Sequence, residues 1–165
     1  MYKIGERVVY GQTGVCTVKD ICEKEFIKNS KKTYYVLKPT GSEKDLIYAP
    51  VDGGKVLVRS LMTKNQAEEL INSIPVIVSK APNVDNITKD DYIAKINNHS
   101  PKDLVELTAI IYAKKLAVKE QKKKLNVVDE KYMKIGEKLL FGELSEVLGI
   151  PVDDVPDYIF NKINK

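Results

Sequence analysis

The hydrophobic period of this 165-residue chain changes once, near Leu61, and that change restricts the folds open to it. Before it, β-branched and aromatic residues gather in short runs at residues 7–10, 15–26, 33–39, 46–50 and 56–61. Turn-forming residues separate them: the polar tip at 28–32, the stretch 40–45 around Gly41, and Asp52 with Gly53 and Gly54. In the first hairpin Val9, Val15, Thr17 and Lys19 share one strand parity and Tyr10, Cys16 and Val18 the other, while Gly11 and Gly14 supply the permissive backbone of the turn. Short strands at this spacing predict a small, strongly bent sheet or barrel of the SH3/Tudor type.

Beyond Leu61 the period becomes helical. Thr63 and Gln66 occupy capping-box positions, and Ala67, Leu70, Ile71 and Ile74 follow at helical spacing until Pro75, where the helix is expected to stop. Irregular chain is expected from 75 to 88, then a second start at Thr88 leading into Tyr92, Ile93 and Ile96. Ser100, Pro101 and Asp103 mark a third start, and Leu104, Leu107, Ile110, Ile111 and Val118 give it a broad apolar face. Two more helices are expected over 129–148 and 152–163, divided by Gly149 and Pro151. The fold class predicted is α+β by segregation, a β module over 1–60 and an all-α module over 61–165.

Composition narrows the chemistry. No apolar run approaches the roughly 20 residues needed to span a bilayer, and Lys3, Glu6 and Arg7 interrupt any signal-like core, so a cytoplasmic location is expected. Cys16 and Cys22 are the only cysteines, and the one histidine, His99, sits far away in a polar loop, which is no zinc pattern. Both cysteines read as small hydrophobes in strands. Neither Gly11 with Gly14 nor Gly53 with Gly54 has the spacing of a phosphate loop. Adjacent acids such as Asp90 with Asp91 suit helix starts better than acid/base work. No catalytic residue, metal or cofactor is expected.

The charge distribution is more informative than the net +4. Residues 111–140 hold nine lysines against four acids, followed by an acidic tail. Lys115, Lys119 and Lys122 recur at i, i+4 and i+7, with Lys114, Lys123 and Lys124 flanking them, so their ammonium groups could follow a phosphate backbone. The same row also fits a solvated stripe opposite the core face. Lysines without arginine favour phosphate contact over base reading, which implies weak, largely sequence-independent binding.

The pattern Ile4-Gly5, Val8-Val9-Tyr10, Gly14, Val18 and Ile21, followed by Tyr34-Tyr35-Val36-Leu37-Lys38 and a strand ending in Pro50, resembles the RNA polymerase-interacting domain of the CarD/CdnL bacterial transcription regulators. The resemblance is strongest over residues 2–59 and is recognisable again over 93–144. It implies a Tudor-like module that docks on the protrusion, or β1 lobe, of the polymerase β subunit, partly by strand addition. A helical module would contact promoter DNA at the upstream edge of the bubble and stabilise the open complex. Lys24 falls where the family often has a contacting Arg, and Tyr48, in the strand of Ile47 and Pro50, falls where better-known members place a second one. Family members also insert a Trp into the minor groove, and this chain has none. Counting back without gaps places that position at Asp85. Ile87 is the best local substitute, Lys89 is a neighbouring cation and Tyr92 is the nearest aromatic. The polymerase contacts expected are therefore Lys24, Ile47, Tyr48 and Pro50, and the DNA contacts Ile87, Lys89, Lys114, Lys115, Lys119 and Lys122.

The resemblance thus implies a non-enzymatic, monomeric regulator with no membrane partner. Transcription-repair coupling factors share the β module, but the helical second half and the lack of a Walker motif point to a regulator. The rival reading is an adaptor whose helical module binds a second protein rather than DNA.

Overall fold

The computed structural model describes residues 1–80 and 86–164, which divide into two units, Met1–Leu61 and Met62–Lys165. The first is an antiparallel sheet of β1 (Arg7–Tyr10), β2 (Gly14–Ile27), β3 (Ser30–Pro39), β4 (Ile47–Pro50) and β5 (Val58–Ser60). Strand order is β4-β3-β2-β1-β5, so β4 and β5 are the edges. Val8, Cys16, Val18, Tyr35, Leu37 and Ala49 form its core. Gly11 and Gly14 take φ of 45° and 90° in the first turn, where a side chain would be strained. The polar tip is tighter than expected. Ile27 already pairs with Ser30, and Asn29 turns the chain at φ 62°.

One local irregularity decides which side chains β2 presents. The β2–β3 register shifts between Val18 and Asp20, a bulge that inverts the alternation beyond it. Val18 faces the core, and past the bulge Ile21 does so too, opposite Tyr35. Cys22 and Lys24 are thereby placed on the outer face.

The second unit holds α1 (Lys64–Ser79), α2 (Lys89–Asn97), α3 (Pro101–Glu120), α4 (Val127–Leu148) and α5 (Val155–Ile163). The capping box forms: Gln66 N–H donates to Thr63 Oγ1 at 3.1 Å and Thr63 N–H to Gln66 Oε1 at 2.9 Å. Pro75 does not end α1, contrary to the sequence expectation. The helix continues through it for one more turn because Ile77 is buried in the helical core, and this packing outweighs the hydrogen bond that proline cannot make. Around α3, the central helix, Leu104, Leu107, Ile110 and Ile111 pack with Ala67, Ile71, Tyr92, Leu140 and Leu144. Gly149 ends α4 in the left-handed conformation, φ 69°. Among the described residues no helix is long and apolar enough to cross a membrane.

Candidate polymerase-binding surface and basic clefts

The outer face of the first unit carries an aromatic cluster. Phe26 meets the Tyr34 ring edge-on with centroids 5.0 Å apart, and the Tyr48 ring at 5.4 Å. Such edge-to-face pairs contribute roughly 0.5–1.5 kcal/mol beyond their area. Even so, Phe26 remains 58% exposed. The Lys24 ammonium lies 5.9 Å from the Tyr48 centroid, within range of the ring quadrupole. Three strands thus bring one cation and three rings together.

Beside this cluster lies the β4 edge. Val51 N–H donates to Thr33 C=O at 3.0 Å. Hydrogen-bonded pairs alternate in an antiparallel ladder, so Ala49 and Ile47 also turn their backbone groups toward β3. The N–H and C=O of Tyr48 and the C=O of Pro50 then point out from the sheet, and Pro50 offers no N–H. That edge can take an added strand through few main-chain bonds.

Residues 2–62 match the family model of the CarD-like/TRCF RID domain. The amino-terminal unit is a domain of the CarD-like/TRCF RID type. No curated protein matches the chain. Of the four positions expected to face polymerase, the RID domain groups Lys24, Tyr48 and Pro50 on the outer face at the edge. Ile47 packs against the core instead. Phe26 and Tyr34 were missed by the sequence reading. Unbroken alternation would have placed Phe26 on the core parity; the β2–β3 register shifts between Val18 and Asp20 and again between Lys24 and Ile27, and Phe26 lies on the surface.

The helical unit distributes the six residues expected at DNA over separate places. Lys115 and Lys119 line a cleft of about 400 Å³ between α3 and α4, together with Lys123, Lys124 and Lys134. Glu130 and Glu137 line it too, so the cations outnumber the anions. The expected i, i+7 row is broken. Helix α3 ends at Glu120, and Lys122 takes φ 57° in the following turn, where Lys123 N–H donates to Val118 C=O at 2.8 Å. Leaving the helix there swings Lys122 off the face of Lys115 and Lys119.

Ile87, Lys89 and Lys114 line a second cleft, of about 430 Å³, with Asn126, Val127 and Val128. Lys89 is exposed, whereas Ile87 is half-buried against the helical core. Tyr92 is buried at the floor of this cleft. Asp85 lies outside the described residues. Lys114 also turns inward: its Nζ donates to the Tyr92 hydroxyl at 2.7 Å and lies 3.5 Å from Asp129 Oδ1. The Tyr92 hydroxyl donates in turn to Asp129 Oδ1 at 2.7 Å, and burial, then this bond, pushes the phenol well above its usual range. Burial likewise raises the Cys16 thiol to about 11, which suits an inert core residue.

Proposed function

We propose that the chain is a non-enzymatic regulator of transcription whose RID domain holds RNA polymerase at the β subunit while the helical unit touches promoter DNA near the upstream edge of the bubble and stabilises the open complex. The family match over residues 2–62 carries this reading, since a domain of this type supports polymerase as the partner of the first unit. The exposed ring cluster beside an open strand edge supports Lys24, Tyr48 and Pro50, with Phe26, as the docking surface. Ile47 would support it from the core side.

For DNA, the cleft of Lys115, Lys119, Lys123, Lys124 and Lys134 supplies phosphate contacts, with Lys122 beside it and Lys89 and Ile87 at the second cleft. Such contacts are weak alone. Tethering to polymerase raises the effective DNA concentration at the helical unit, so weak contacts suffice to bias opening. The protein acts as a monomer in the cytoplasm.

The adaptor alternative draws support from an apolar groove of about 540 Å³ in the helical unit, rimmed by exposed Val78, Tyr112 and Phe160. One experiment separates the readings. Full-length protein carrying alanine at Lys115, Lys119, Lys123 and Lys124 is added to polymerase and promoter DNA, and both binding and strand opening are followed. Lost opening with polymerase binding intact supports the DNA reading. Unchanged opening supports the adaptor.

A further inference from the structure

Lys114 differs in kind from the other lysines of its block. Its side chain is 20% exposed, and that of Asp129 is 7% exposed. An ammonium so enclosed costs desolvation energy unless its donors are satisfied. Three oxygens surround it: the Tyr92 hydroxyl at 2.7 Å, Asp129 Oδ1 at 3.5 Å and the backbone carbonyl of Ile87, also at 3.5 Å. The Nζ also lies 5.1 Å from the Tyr92 centroid. Asp129, anchored through its N–H to Asn126 Oδ1 at 2.8 Å, closes the network from the first turn of α4. One cation thus links α3, α2, α4 and the segment before α2. Two residues beyond that carbonyl, Lys89 opens α2, where Thr88 N–H donates to Asp91 Oδ2 at 2.7 Å.

We propose that Lys114 is a positioning residue: through the Ile87 carbonyl, Tyr92 and Asp129 it fixes the segment that presents Lys89, and it does not itself contact nucleic acid. This rests on the reading of the helical unit as a DNA-contacting module. Each phosphate contact contributes about 0.9 to the slope of log binding constant against log salt, so a direct contact and a positioning role leave different signatures.

The test uses the full-length chain and forked promoter DNA in a salt titration, with amide hydrogen exchange across 87–91 as a second readout. Lys114→Met is expected to weaken binding several-fold, leave the salt slope unchanged and speed exchange at Thr88 and Lys89. Tyr92→Phe, altered at a residue 1% exposed, is expected to do the same in milder form. Lys114→Arg, which keeps the positive charge and N–H donors toward these oxygens, is expected to restore protection, and Lys119→Ala to lower the slope by about 0.9 without changing exchange. A lower slope for Lys114→Met with unchanged exchange, or an effect of Lys114→Met that Tyr92→Phe does not share, overturns the proposal. If the wild type binds no DNA at all, the DNA reading fails. The exchange arm then still decides whether Lys114 orders the segment.

Discussion

The Lys24 ammonium stands 5.9 Å from the centre of the Tyr48 ring, joining β2 to the edge strand β4 on the outer face of the RID domain. A cation held over an aromatic ring can face a carboxylate and an apolar side chain of a partner at once. Phe26, edge-on to the same ring, extends the apolar part.

Reversing that charge should disrupt docking without unfolding the domain. Lys24→Glu is expected to weaken polymerase binding by about tenfold or more, equivalent to roughly 1.4 kcal/mol. Tyr48→Ala and Phe26→Ala should each cost several-fold. Titration of full-length variants into polymerase, with far-ultraviolet circular dichroism as the fold control, checks this. Wild-type affinity for all three would remove this face from the interface.

Glu143 offers a prediction about stability. The residue is 1% exposed, and its carboxylate accepts the Met62 N–H at 2.8 Å at the start of the helical unit. Glu143→Ala leaves that donor unmet and opens a cavity, an expected loss of about 2–4 kcal/mol. Glu143→Gln retains an acceptor oxygen and should lose less. Urea denaturation followed by helical ellipticity measures both.

Two glycines of α4 should respond oppositely to alanine. A Cβ at Gly136 would lie 3.1 Å from Thr108 Cγ2 and 3.2 Å from Leu107 Cδ2. Neither neighbour can yield. The Thr108 hydroxyl donates to the carbonyls of Leu104 and Val105, and Leu107 is fully buried. Gly136→Ala should therefore destabilise by about 1–2 kcal/mol, whereas Gly142→Ala, with open space around the new methyl, should stabilise by about 0.5–1 kcal/mol. Thermal melts of the two variants test the contrast.

The tie between α1 and α5 sets a pH dependence. Glu68 accepts from the Tyr158 hydroxyl at 2.6 Å and pairs with Lys162 at 2.9 Å, and these bonds hold its carboxyl below the usual range. A carboxyl lowered in the folded state contributes stability above its unfolded pKa, and the contribution is lost as pH falls through the folded value. Lys162 is raised by the same partner, so its share is present at neutral pH and lost only at strongly alkaline pH. The melting temperature of the wild type should therefore fall further on acidification below about pH 4.5 than that of Glu68→Gln. Parallel curves would show that the tie carries no pH-dependent stability.

Local chemistry was legible wherever it acts within a few residues. The strand runs, the Thr63 capping box, the Gly149 stop and the segregation of β from α all depend on neighbours along the chain, and all are visible in the amino-acid order. The site was legible only in part. Lys24 and Tyr48 could be named from the resemblance, but that they lie side by side, and that Phe26 joins them, depends on the register shifts of β2 against β3.

The sequence by itself determined two modules and a lysine-rich block, because hydrophobic period, caps and charge are properties of short segments. Only the tertiary structure decided that α1 runs through Pro75, that Lys114 faces Tyr92 and Asp129, and that Lys122 leaves the helical row. The first two are settled by burial against residues distant in the chain, where the free energy of packing and of satisfying a buried charge exceeds any local preference, and the third by the left-handed turn that closes α3 at Lys122.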